Sequence, residues 1–181
     1  MSYQSFEQVL QKCHTEEKEF WQVILEDDMA ERNVSLQESM EHMRATWDAM
    51  LLAAATYEGN LNSSSGLVGG DGRRMEEYIR SAQTKSLCGE YVDTCIAGAL
   101  QMGESNACMK RIVAAPTAGA CGVLPAVLVP YFQKRCRNTD KILKAMYVAA
   151  GIGQIIATRS SISGAAGGCQ AEIGAASSMA G

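Results

Sequence analysis

Glycine is missing from the first 58 residues, and histidine is nearly missing throughout. The first glycine is Gly59, and all 17 lie from there onward. A front third without glycine favours uninterrupted helix and reads as scaffold; the glycine-rich remainder reads as the place where backbone approaches something closely. Histidine occurs only at His14 and His42, both in the scaffold and both expected at the surface or on a helix face. That argues against a histidine-based acid–base mechanism. Aromatic residues are only 6% of the chain, too few for a base-stacking platform, and a net charge of −4 has the wrong sign for a nucleic-acid surface. No secretory leader is expected: the N-terminus is polar and Phe6 to Leu10 is too short an apolar core. The seven cysteines (13, 88, 95, 108, 121, 136 and 169) have no paired short spacing, so they read as reduced thiols of a cytoplasmic protein, most of them small core fillers.

What is present divides unevenly. Residues 1–60 carry 12 acids and 4 bases, whereas residues 61–181 carry 8 acids and 12 bases. The expectation is an acidic helical hairpin over 1–58 and a Gly/Ala-rich portion over 59–181, together one structural domain. Ile112 to Phe132 is free of charge and imitates a membrane span. It also holds all three prolines (Pro116, Pro125, Pro130), so a buried turn followed by a buried helix is expected instead. From Ala145 to the end only Arg159 and Glu172 are charged, so a helix there must be buried nearly all round or covered by a partner.

Periodicity predicts helices over 16–32 and 35–57, packed as an antiparallel hairpin. Ser35 and Glu38 have the spacing of a capping box. Leu36, Met40, Met43, Trp47, Met50 and Ala54 make one apolar stripe, which needs no ligand to explain its methionines. Further helices are expected over 73–80, 89–103 and 140–158, with Gly89 ending one helix and Thr139-Asp140 starting another. Short strands could hide at 111–115 and 123–129. The fold class is mainly α, a helical domain with its Gly-rich loops gathered at one end.

Three regions concentrate the chemistry. Residues 59–72 are small, hydroxylated and glycine-rich. They read either as a flexible connection or as an anion-binding loop whose N–H groups meet a carboxylate or phosphate. No Walker Gly-Lys-Ser/Thr follows and no strand precedes, which excludes the common nucleotide fingerprints. Residues 116–122 place a Pro-Thr turn before an apolar run, alternatively a plain turn. Residues 160–172 place three serines before Gly164, and then Cys169 after a Gly pair. A thiol at a helix start is a better nucleophile or metal ligand, though Gly-Gly-Cys also fits a tight helix contact.

The strings APTAGACGVLPAVL (115–128) and SISGAAGGCQAEIGAASSMA (161–180) resemble the iron–sulfur-dependent L-serine dehydratase family, in its alpha subunit or alpha domain, and SSGLVGGDG (64–72) is similar to that family's Gly-rich loop. The resemblance implies conversion of L-serine to pyruvate and ammonia at a 4Fe–4S cluster, without pyridoxal phosphate, in partnership with a beta subunit or beta domain. Neither nucleic acid nor membrane is implied, and a homo-oligomer is left open. Matched position by position, Cys169 is the cluster ligand. Ser65, Gly66, Gly69, Gly70 and Asp71 match the Gly-rich loop, Pro116, Thr117, Ala118 and Gly119 the Pro-Thr-Ala-Gly loop, and Ser161, Ser163 and Gly164 the segment before the ligand. These loops are expected to wall the substrate pocket; no residue is assigned as the base.

Two departures accompany the resemblance. Arg159 and Ser160 stand where the family often has Asn-Ala. The family's two further cysteine ligands do not occur before Gly181, so the chain is expected to be part of a longer alpha subunit, inactive and clusterless alone. Alternatives are a related lyase acting on L-cysteine or L-threonine, a pyridoxal-phosphate lyase using Lys85 or Lys110, and a non-catalytic helical interaction module.

Overall fold

A computed structural model describes residues 3–81 and 86–181. Among them it contains α-helices and no strand, in keeping with a mainly α fold: α1 (Phe6–Thr15), α2 (Phe20–Arg32), α3 (Leu36–Ala55), α4 (Asp71–Arg80), α5 (Glu90–Ala107), α6 (Val123–Tyr131), α7 (Thr139–Arg159) and α8 (Gly164–Ala180).

The local chemistry of the chain sets most of these boundaries. The box before α3 forms as its spacing requires: Glu38 accepts from the Ser35 N–H at 2.8 Å, and Ser35 Oγ accepts from the Glu38 N–H at 3.3 Å. Residues 16–19 do not join α2 as expected, because Glu17 is left-handed (φ 52°) and Glu19 and Gln22 form a second reciprocal box that starts the helix at Phe20. Helix α1, which the sequence reading did not anticipate, begins where Ser5 accepts from the Gln8 N–H. Gly89 does not end a helix; it precedes α5 as its N-cap, with φ 84°. Helix α7 starts at Thr139-Asp140 as expected, and Asn138 before it is the cap, accepting from the Lys141 N–H at 3.1 Å.

The membrane-like stretch resolves into a cis Ala115–Pro116 bond, a 3-10 turn at Ala118–Ala120 and α6. Residues 123–129 are helix rather than strand; a short run that is apolar at every position carries no period to separate the two. Pro125 sits in the first turn, where its missing N–H has no partner to lose. Pro130 lies inside α6, and a π turn over Phe132–Cys136 follows it. Among the described residues no helix is long and apolar enough to cross a membrane.

The chain forms two compact units, one of residues 1–48 and 138–181 and one of residues 49–137. In the first, α7 packs against α2 and α8. Val9, Val23, Ile24, Leu25, Tyr147 and Ile155 form the core there, flanked by Phe20, Trp21, Met40 and Met43. Helix α7 buries Ile142, Leu143, Met146, Tyr147, Ala149, Gly151, Gly153 and Ile155, which explains why no charge falls between Ala145 and Thr158. Within the expected hairpin, α2 and α3 meet through a polar chain: Tyr147 Oη lies 2.6 Å from Ser39 Oγ, which donates to Asp28 Oδ2 at 2.5 Å. The larger packing surface of α2 is nevertheless its contact with α7. In the second unit, α5 lies between α4 and α6. Both histidines are exposed, as expected. The thiols are less buried than expected: only Cys121 is buried, while Cys88 and Cys169 are exposed and the others lie between.

Candidate functional site

The Gly-rich loop of the second unit is closed by its own serines. Ser63 donates its N–H to the Val68 carbonyl at 2.8 Å, its carbonyl accepts from Gly66 N–H at 2.9 Å, and its Oγ accepts from Val68 N–H at 3.1 Å. Ser65 Oγ lies 3.1 Å from Ser63 Oγ, and Gly66 takes φ 71°. Leu67 at the tip is 87% exposed. Gly69 and Gly70 bring the chain into α4, with Gly70 at φ 82° as the N-cap. Asp71 opens the helix and its carboxylate pairs with Arg74. A polar depression of about 440 Å3 lies beside this turn, lined by residues that include Asn60, Asn62, Gly69, Gly70, Arg73 and Arg74.

A helix start of this kind binds anions because its first N–H groups lack partners. Here the anion is the protein's own. Glu104 of α5, 2% exposed, accepts the Asp71 N–H at 2.5 Å and the Gly72 N–H at 3.1 Å through Oε1, and the Tyr57 hydroxyl at 2.5 Å through Oε2. Burial, and then the neighbouring Glu104 carboxylate, push the Tyr57 phenol well above its ordinary value, so it stays a donor. Gly72 leaves the room: a Cβ there would lie 2.7 Å from Gln101 Cγ and 2.8 Å from Tyr57 Oη.

Two residues further along α5, Asn106 donates from Nδ2 to the Ala118 carbonyl at 3.0 Å. Pro116 follows the cis bond, Thr117 caps the short 3-10 turn, and Gly119 lies within that turn. The Gly-rich loop and the Pro-Thr-Ala-Gly loop therefore hang from neighbouring positions of one helix. The sequence reading missed Glu104, Tyr57 and Asn106. Glu104 falls seven residues after the buried Ala97, on the same helical face, and a carboxylate there must find donors.

Ser161, Ser163, Gly164 and Cys169 belong to the first unit. Ser161 Oγ accepts from the Ser163 N–H at 3.3 Å, and Ser163 Oγ caps α8 by accepting from the Ala165 N–H at 3.2 Å. At Gly164 a Cβ would come within 2.6 Å of Glu172 Oε2, so the glycine admits that carboxylate over the first turn. Helix α8 is interrupted at Gly168, whose φ 76° and ψ 169° are not helical. The helix restarts at Cys169, which places an exposed thiol at a fresh helix start. Arg159, in the position of the departure from the family pattern, donates from Nε to the Gln4 carbonyl at 2.7 Å.

One thiol is not a cluster site. Among the described residues no group of three or more His, Cys, Asp or Glu side chains is placed to hold a metal ion. The chain's own donors therefore do not fit a 4Fe–4S cluster unaided, since such clusters take several thiolates. The pyridoxal-phosphate alternative needs a lysine. Lys110 is ion-paired with Glu58 at 3.3 Å, and Lys85 lies outside the described residues.

Residues 15–181 match the family described as serine dehydratase alpha chain. The chain is 35% identical over 164 residues to the probable L-serine dehydratase, alpha chain, of Bacillus subtilis (strain 168), covering 88% of this chain and 54% of that one. It is 33% identical over 177 residues to the L-serine dehydratase, alpha chain, of Peptoniphilus asaccharolyticus, covering 96% and 59%. A shorter stretch of 84 residues is 48% identical to L-serine dehydratase 2 of Escherichia coli (strain K12), covering 45% and 18%. The chain thus spans about half the length of the curated alpha chains it matches. No solved structure matches it.

Proposed function

Because the chain belongs to the serine dehydratase alpha chain family, we propose that it works within a cytoplasmic L-serine dehydratase, in partnership with a beta chain, to release pyruvate and ammonia from L-serine. The reaction is a β-elimination: the Cα proton leaves, the Cβ–O bond breaks, and the hydroxyl departs as water. The aminoacrylate that remains tautomerises to an imine and is hydrolysed to pyruvate and ammonia, so no oxidant or reductant is consumed.

The observation that carries this reading is the Cys169 thiol, exposed at a helix start created by the break at Gly168. A helix N-terminus favours the thiolate, which is the form that binds iron. We assign Cys169 as the thiolate this chain contributes to an iron–sulfur cluster whose other donors are not among its described residues. Substrate contacts are assigned to Ser65, Gly66, Gly69, Gly70 and Asp71 and to Pro116, Thr117, Ala118 and Gly119 in the second unit; Ser161, Ser163 and Gly164 are the segment that leads into the Cys169 ligand. Because Glu104 already occupies the first N–H groups of α4, the substrate carboxylate is left to other donors of these loops and to Arg73 beside them.

The test is to tag the chain, isolate it anaerobically with whatever it is assembled with in its own cells, and assay it. Iron and sulfide should accompany it, and L-serine should yield equal amounts of pyruvate and ammonia. Cys169→Ala should lose both the iron and the turnover. A Cys169→Ala enzyme as active as the unaltered one removes the metal assignment. Release of 2-oxobutyrate from L-threonine or of sulfide from L-cysteine, with L-serine untouched, moves the assignment to a related lyase. A stable assembly that acts on none of the three amino acids leaves a helical interaction module.

A further inference from the structure

We propose that Glu104 and Asn106 are positioning residues: the last turns of α5 form a bracket that fixes the Gly-rich loop and the Pro-Thr-Ala-Gly loop in the conformation that binds substrate. The proposal rests on the assignment of those two loops to substrate made above.

The geometry of Glu104 is unusual for a merely solubilising carboxylate. It is almost fully buried and its three hydrogen bonds come from two backbone N–H groups and one phenol, with no cationic partner among them. A buried charge is retained only when its donors offset the loss of water. Both oxygens are used: Oε1 receives the first turn of α4, just after the last glycine of the loop, and Oε2 receives Tyr57, just after α3. The Gly-rich loop is thus clamped at both ends, since Tyr57 precedes Gly59 and Asp71 follows Gly70. Asn106 does for the other loop, through the Ala118 carbonyl, what Glu104 does for this one. Because the two residues are two positions apart on one helix, any shift of α5 moves both loops together. Small misplacements of binding groups carry large kinetic costs, about 100-fold for roughly 1 Å.

Three variants test the bracket in the tagged native assembly. Glu104→Ala removes both acceptors. Glu104→Gln keeps an acceptor oxygen for the Asp71 and Gly72 N–H groups and presents an amide N–H to the Tyr57 oxygen, which can accept it. Asn106→Ala, at a partly exposed position, perturbs only the second loop. Two readouts are taken. Amide hydrogen exchange over 59–72 and 116–121 reports the clamp whether or not the protein turns over L-serine. Steady-state kinetics report its use.

Glu104→Ala should speed exchange over 59–72 and lower kcat/KM for L-serine by about 100-fold, mainly through KM. Glu104→Gln should stay within about threefold of the unaltered protein in both readouts. Asn106→Ala should speed exchange over 116–121 alone and raise KM by about tenfold, the size of one hydrogen bond to substrate. If Glu104→Ala does not fold, the pattern in Asn106→Ala decides. Unchanged loop exchange in the foldable variants overturns the bracket itself. Faster exchange with unchanged kinetics for L-serine overturns its functional role. Faster exchange in a protein whose unaltered form never acts on L-serine overturns the substrate assignment while leaving the clamp in place.

Discussion

At the residue scale, Gly168 does the most with the least. Its φ 76° and ψ 169° lie in a region that a side chain occupies only at a cost of about 1–3 kcal/mol. Nothing lies within 4 Å of the Cβ position, so the cost of a side chain there is purely one of backbone conformation. Gly168→Ala should therefore lower the unfolding free energy by about that amount, read by urea denaturation. If Cys169 is the cluster thiolate proposed above, the substitution should also weaken iron retention, because a helix straightened through 168 would return the N–H groups at the start of the second segment to ordinary helical bonding. An alanine variant of unaltered stability and iron content shows that the break does not depend on glycine. Glu104 teaches the converse lesson. A charged residue that composition counts as surface is, in the fold, the partner of a helix start.

At the scale of elements, the close approach of α5 and α6 depends on one missing side chain. A Cβ on Gly122 would lie 2.8 Å from the Ala99 carbonyl oxygen and 3.4 Å from Ala99 Cα. Those are backbone atoms, which cannot rotate away as a side chain end can. Gly122→Ala should push the start of α6 off α5 and cost about 1–3 kcal/mol, the usual range for overpacking. Thermal melting is the measurement, and a variant that melts with the unaltered protein contradicts the packing. The elements differ in how far they could be read from sequence, for physical reasons. Helix α3 could be read almost to the residue, because Ser35 and Glu38 supply a reciprocal cap and the apolar stripe recurs at helical spacing. Helix α6 could not be told from a strand, since seven apolar residues in a row have no period. Helix α1 carries its start signal in one Ser5 hydrogen bond, too little to distinguish from a polar terminus. Cys169 stood out because a Gly pair before a thiol is a local signal. The clamp of Glu104 and Tyr57 joins residues 47 apart and leaves no local trace.

At the scale of the whole chain, the two compact units are not marked in composition. The chain passes from one to the other within α3, between Asp48 and Ala49, without a break in the helix, and returns at the Asn138 cap. What does act on the whole chain is the set of groups whose protonation is tied to folding. At the acid end, Glu16 is held below the usual carboxylate range by the Lys18 ammonium, Glu38 by the Ser35 N–H and hydroxyl, and Glu90 by Lys134. These contribute stability above the ordinary carboxylate value, and it is lost as the pH falls through their lowered values. All three are exposed, so the loss is gradual and screened by salt. At the alkaline end, burial raises the phenols of Tyr57, Tyr91 and Tyr147 and the thiols of Cys95 and Cys121. The unfolded chain then ionises first, so stability is complete below the ordinary thiol and phenol values, about 8.5 and about 10, and falls as the pH rises past them. Lys18, raised to about 12 chiefly by Glu16, stays charged in the fold while the unfolded chain loses that proton at the ordinary lysine value, so it adds a share, small because the pair is exposed, to the same decline. Urea midpoints measured under reducing conditions from pH 3 to 11 should form a plateau between roughly pH 5 and 8.5, with a shallow acid shoulder and a steeper alkaline one. Tyr147→Phe should lower the plateau by removing the hydrogen bond to Ser39, yet flatten the alkaline limb, because one of the ionisable groups is gone. A midpoint that stays constant to pH 11 excludes buried ionisation as the cause, and an alkaline limb equally steep in Tyr147→Phe excludes Tyr147 as a contributor.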